Sequence, residues 1–169
     1  MGKVGPVSIL DNNVLKSSTG IILINAHEKP PHLGVFSNDK YFSLSANEIQ
    51  NSLDVAVVLQ IINRKKIPSI FISFKKTLNN SIIEKIFASY SDLKEGMTCV
   101  NPIKKLVNQQ ICEINNVQFI FELIPLLEKS DHLKSYHHLY CESYLDANYF
   151  ELREYSMEDI LTRIKKLVK

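Results

Sequence analysis

Three cysteines and five histidines are the side chains here with the most chemistry to offer, and two groupings of them stand out. In the first, His137, His138 and Cys141 lie close together, with Asp131 and His132 just upstream. Imidazole nitrogen and thiolate sulfur suit zinc, and on a helix positions 137, 138 and 141 would share one face. No second ligand pair stands at a recognised zinc spacing. A packing role in a tyrosine-rich segment therefore ranks ahead, and no metal or other cofactor is expected.

The second grouping is His32 with Cys99. A thiol becomes a nucleophile as its thiolate, which needs a base and gains from a helix N-terminus. Asn101-Pro102 reads as an N-cap followed by proline at the first helical position, with Ile103, Leu106 and Val107 on one face, so Cys99 stands just ahead of a helix. Such a thiol, paired with His32, is expected to ionise below its ordinary pKa of about 8.5 and to alkylate before Cys112 and Cys141. The competing readings are structural. His32 after Pro30-Pro31 would merely begin an exposed strand, Cys99 would be a small buried hydrophobe, and Cys112 would belong to the core.

The elements that must position these residues are legible in part. HLGVFS and YFSLS flank Asn38-Asp39, two residues that tolerate the positive φ of a tight hairpin. A two-residue loop pairs Ser37 with Lys40, Phe36 with Tyr41, Val35 with Phe42 and Gly34 with Ser43, then Leu33 with Leu44 and His32 with Ser45. Alternation then buries Leu33, Val35, Phe42 and Leu44 on one face, leaving His32, Gly34, Ser43 and Ser45 on the other.

Ser45 and Glu48 have capping-box spacing, and Ile49, Leu53, Ala56, Val57 and Ile61 recur at helical intervals, which predicts about five turns of helix ending at Pro68. SIFISF reads as a strand, and Ser81 with Glu84 opens a second helix. Val117, Phe119, Phe121 and Leu123 alternate with polar residues as a strand would, with a helical turn expected from Pro125. Tyr149 to Tyr155 is a weaker strand candidate. Residues 156–168 form an amphipathic helix through Ile160, Leu161, Ile164 and Leu167. A β-meander followed by helices gives an α+β class, with an antiparallel sheet and packed helices, in one domain over residues 1–169.

The run His32-Leu33-Gly34-Val35-Phe36, with Tyr41-Phe42-Ser43-Leu44 after the turn, resembles the histidine hairpin of NlpC-like papain-fold proteins. In the circularly permuted branch, which includes lecithin:retinol acyltransferase-like and PPPDE-type proteins, the histidine precedes the cysteine, as His32 precedes Cys99. The resemblance covers about a tenth of the chain around His32 and a few residues around Cys99. It implies a permuted papain-like fold and a thiol hydrolase or acyltransferase acting on an amide or ester bond. Cys99 would be the nucleophile and His32 the general base. That family sets a polar third residue on the strand beside the histidine, for which the register offers Ser45, with Ser43 next to it.

Composition sets the bounds. Length, a hydrophobic share of 45% and a charged share of 22% are those of an ordinary globular chain. A net charge of +2, with no Lys/Arg cluster longer than Arg64-Lys65-Lys66, weighs against nucleic acid as the main partner. No two of the five glycines sit in a phosphate-cradling loop. No segment reads as a secretory signal or a membrane span, and an odd number of cysteines argues against a disulfide framework, so a cytoplasmic protein is expected. The alternative to an enzyme is a non-catalytic domain binding a small molecule, peptide or protein, with the hairpin and residues 136–155 as its partner surface.

Overall fold

The computed structural model describes residues 2–45, 48–90 and 98–167. In chain order the strands are β1 (Lys3–Val4), β2 (Ser8–Ile9), β3 (Thr19–Ile24), β4 (His32–Ser37), β5 (Lys40–Leu44), β6 (Ile49–Asp54), β7 (Ser69–Phe74), β8 (Leu133–Leu139), β9 (Leu145–Asp146) and β10 (Tyr149–Glu151). The helices are α1 (Asn13–Ser17), α2 (Val55–Lys65), α3 (Asn80–Ala88), α4 (Val100–Gln110), α5 (Ile120–Lys129) and α6 (Met157–Leu167). One large sheet runs β2-β8-β7-β3-β4-β5-β6, antiparallel throughout except for the parallel β2-β8 pair. A small sheet, β1-β10-β9, is wholly antiparallel. The class is α+β, as the element order predicts.

The central strands read as unbroken apolar runs because both faces of the sheet are covered. Alternation sends Ile21, Leu23, Leu33, Val35, Phe42, Ile70 and Ile72 to one face, where they pack with Ile83 and Phe87 of α3, Ile103 and Leu106 of α4, and Leu123 and Leu127 of α5. Ile22, Phe36, Tyr41 and Phe71 go to the opposite face, against Leu15 of α1 and Val55, Val58 and Ile62 of α2. The hairpin turns at Asn38 and Asp39, with φ of 46° and 68°, in the expected register from Ser37↔Lys40 to Gly34↔Ser43. Leu33, Val35, Phe42 and Leu44 are buried as expected, and His32 lies on the other face. That other face is itself half core, since Phe36 and Tyr41 are buried there too.

Three expectations need correction, and the helix on which the zinc grouping would converge is absent. The five-turn helix after Ser45 is a strand and a shorter helix: Ile49–Asp54 pairs with β5, and α2 begins only where the Asp54 carboxylate accepts the Ala56 N–H. Ser45 and Glu48 instead close a tight turn, the Ser45 hydroxyl donating to the Glu48 carbonyl and accepting its N–H. The strand expected at 117–124 is α5. Its buried residues Ile120, Leu123, Ile124 and Leu127 follow the helical period, and the Glu122 carboxylate caps the Gln118 and Phe119 N–H groups. The segment carrying His137 and His138 is strand β8, held between β7 and β2, so the two rings point to opposite faces. Finally, α4 starts at Val100 with Cys99 as its N-cap, while Asn101 uses its side-chain oxygen to accept from Thr98. The terminal helix is present as α6, opened by Ser156 and Asp159, with Val168 outside the described residues.

Candidate functional site

At the end of the hairpin remote from its turn, the sheet, the start of α4, α2 and α6 enclose a cavity of about 630 Å³. His32 is the first residue of β4 and Cys99 the residue before α4, and both line it. Helix α4 lies against the Leu33 and Val35 face of β4, and the Leu33 backbone hydrogen-bonds the Cys99 thiol. His32 and Cys99 thus open into one cavity and share Leu33 as a neighbour, while alternation sends the His32 ring to the face opposite the one that α4 covers.

Their ionisation is the reverse of the sequence-based expectation. Burial pushes the Cys99 thiol up to about 11, and the hydrogen bonds and the Arg163 guanidinium pulling the other way do not offset it. Burial also holds the His32 imidazole down at about 4, and Arg163 adds to that effect because a second cation is unwelcome beside it. At neutral pH the pair is a thiol and a neutral imidazole. The helix N-terminus behind Cys99 is worth less than the loss of hydration that comes with its position.

Ser43 and Ser45 both line the cavity, but both hydroxyls are engaged, Ser45 in its turn with Glu48 and Ser43 with Tyr41. The Tyr41 phenol also stands close enough to Cys99 to feel its charge, and burial raises its pKa to about 12, so it keeps its proton as a donor. Gly34 makes room for that ring: a Cβ there would lie 2.4 Å from Tyr41 Cε2. Gln50 comes to the cavity through an irregularity in β6, where Gln50 pairs with Ser43 and Leu53 with Tyr41, three residues spanning two. Ser52, with φ of 64°, absorbs the extra residue and leaves Gln50 and Leu53 on the same face.

Tyr41, Gln50 and Arg163 were not anticipated from the sequence. One signal was available for Tyr41, since a glycine inside a strand often marks a close approach, and here the approach is made by the diagonal neighbour on the partner strand. Accordingly, Gly34→Ala should cost about 1–3 kcal/mol by chemical denaturation, and Gly34→Ala/Tyr41→Ala should cost less than the two single changes added together. An unchanged midpoint for Gly34→Ala would show that the ring does not depend on this space.

The other histidine group does not converge. His137 Nδ1 is 3.1 Å from the Ser8 hydroxyl, and buried His138 accepts the Cys141 N–H through its own Nδ1 at 3.4 Å. Among the described residues no three His, Cys, Asp or Glu side chains are grouped to hold a metal ion. Cys112 is half-buried and packs at the edge of the core. Comparison with family models, curated proteins and solved structures finds no match.

Proposed function

We propose that this chain is a thiol hydrolase or acyltransferase, acting on an ester or amide bond, built on a histidine-first papain-like scaffold. The observation that carries the reading is that a strand-opening histidine and a cysteine at a helix N-cap position line one cavity, with the Leu33 backbone bonded to the thiol. In that reading Cys99 Sγ attacks the acyl carbon while His32 accepts the thiol proton, so the thiolate exists only as the S–C bond forms. The carbonyl electrons move onto oxygen, where the Tyr41 hydroxyl supplies a hydrogen bond. The tetrahedral adduct collapses, the C–O or C–N bond breaks, and the leaving group takes the proton from His32. Water or an alcohol then attacks the Cys99 thioester with His32 as base again, which releases the product and restores the thiol. Gln50 would orient His32, since the Ser43 hydroxyl is engaged by Tyr41 and that of Ser45 by Glu48. A nucleophilic Cys99 has to remain reduced, which fits a cytoplasmic setting.

A non-catalytic binding domain is the second reading, and the high pKa of Cys99 favours it. The two separate in one experiment with a p-nitrophenyl acyl ester as probe. The enzyme reading expects a transient acyl group on the peptide carrying Cys99, seen by mass spectrometry, with turnover reduced at least 1,000-fold in Cys99→Ala and close to wild type in Cys112→Ala. Turnover that survives Cys99→Ala, or no acylation of Cys99, would leave the binding domain.

A further inference from the structure

The cavity opens between two helices whose outer surfaces carry an unusual share of exposed aliphatic residues. Val57 and Ile61 on α2 are 42% and 41% exposed, and Leu161 on α6 is 45% exposed. Each pair Val57/Ile61 and Met157/Leu161 is one helical turn apart, so they form stripes rather than isolated contacts. Ile61 and Leu161 also line the cavity, which makes the stripes its rim. Both helices then end in cations. α2 contains no acidic residue and runs into Arg64, Lys65 and Lys66, and α6 ends with Lys165 and Lys166. None of these five forms an ion pair with a described residue, whereas Arg163 is paired with Glu28 and fixes α6 to the body of the protein.

From this we infer that the α2–α6 rim is a docking face for an anionic lipid bilayer, on which the protein lies with the cavity mouth against the acyl-chain region. An apolar stripe flanked by cations is the pattern that seats a surface helix at the boundary of headgroups and acyl chains. The charge decides among occupants. The five cations outnumber Glu158 and Asp159 at the start of α6, so a second copy of this chain would set one net cationic rim against another, whereas an anionic surface attracts each lysine or arginine separately. No helix among the described residues is long and apolar enough to cross a membrane, so the contact is peripheral. The inference does not depend on Cys99 chemistry, because its readout is binding.

The test is co-sedimentation with vesicles of phosphatidylcholine alone or containing phosphatidylglycerol. The wild type is expected to pellet with the anionic vesicles, weakly with phosphatidylcholine, and less as salt rises. Replacing Arg64, Lys65 and Lys66 together by Gln should lower the partition roughly 100-fold, since each cation near such a surface is worth about fivefold. Ile61→Ser/Leu161→Ser should lower it about tenfold or more while leaving the melting temperature close to wild type, because both side chains are substantially exposed. Absence of anionic-vesicle binding by the wild type overturns the inference, as does binding that these variants leave unchanged. Concentration-dependent self-association in place of vesicle binding overturns it equally and assigns the rim to a second copy.

Discussion

At pH 7 the Cys99 thiol should react with iodoacetamide about 100-fold more slowly than an ordinary exposed thiol, and its rate should climb about tenfold per pH unit towards pH 11. Only the thiolate alkylates, and burial pushes this thiol from the ordinary thiol range up to about 11, which cuts the thiolate fraction at neutral pH by a factor of that order. Arg163→Gln should slow Cys99 further, because its guanidinium is the charge that favours the thiolate. The same change should ease protonation of His32, so the two groups respond to one substitution with opposite consequences for charge. Rates are read for each cysteine by mass spectrometry of folded protein across pH, with Cys112 as the less enclosed comparison. Fast alkylation of Cys99 at pH 6 would mean a preformed thiolate and imidazolium pair, and the neutral resting state would have to be abandoned. Slow alkylation does not disarm the proposed enzyme reading, in which His32 would take the thiol proton only during attack on a bound acyl group.

The hairpin was readable because two independent signals agreed, the alternation of apolar residues and the tolerance of Asn38 and Asp39 for positive φ. At β6 the signals conflicted. The extra residue at Ser52 breaks the period of two, so Ile49, paired with Leu44, and Leu53, paired with Tyr41, face opposite sides of the sheet. Their spacing of four in sequence nevertheless imitates a helical repeat running into the true helix at Val55. Residues 117–127 carry both periods at once, with Val117, Phe119, Phe121 and Leu123 spaced as a strand and Ile120, Leu123, Ile124 and Leu127 as a helix. The backbone satisfies its N–H groups through the Glu122 cap and forms the helix, a choice visible only once Glu122 is read as a cap rather than as the polar side of a strand.

Of the candidate site, the residue types were legible and their state was not. His32 and Cys99 follow from the hairpin and from a helix start, both local features. Whether the thiol ionises is set by how much water reaches it, which depends on α2 and α6, elements distant in sequence from both residues. Ser45 shows the same limit from the other side. The β4–β5 pairing ends at Gly34↔Ser43, short of the expected His32–Ser45 pair, and the Ser45 hydroxyl bonds Glu48, only three residues away, because a local partner costs less chain entropy than a distant one.

Stability should rise as pH increases from about 4 to 6.5, and His32→Gln should remove much of that rise. In the folded chain His32 takes up a proton only near pH 4, whereas in the unfolded chain it does so near 6.5. Between those values the unfolded state binds more protons, so acidification favours unfolding. The contribution is fully present above 6.5 and is lost as pH falls towards 4. The shift sets a ceiling of about 3 kcal/mol, and partial exposure of the ring to the cavity reduces the expected figure to about 2 kcal/mol. Asp131 and Asp159 are both held below the ordinary carboxylate range, Asp131 by Lys75 and Asp159 by hydrogen bonds from Ser156, and they push in the same direction. The quantity to measure is therefore the difference between wild type and His32→Gln, from denaturant unfolding at pH 4, 5, 6 and 7. That difference should grow in favour of the wild type as pH rises and level off above 6.5. A difference independent of pH would mean that His32 titrates alike in both states, and with it would go the neutral, enclosed imidazole on which the general-base role rests.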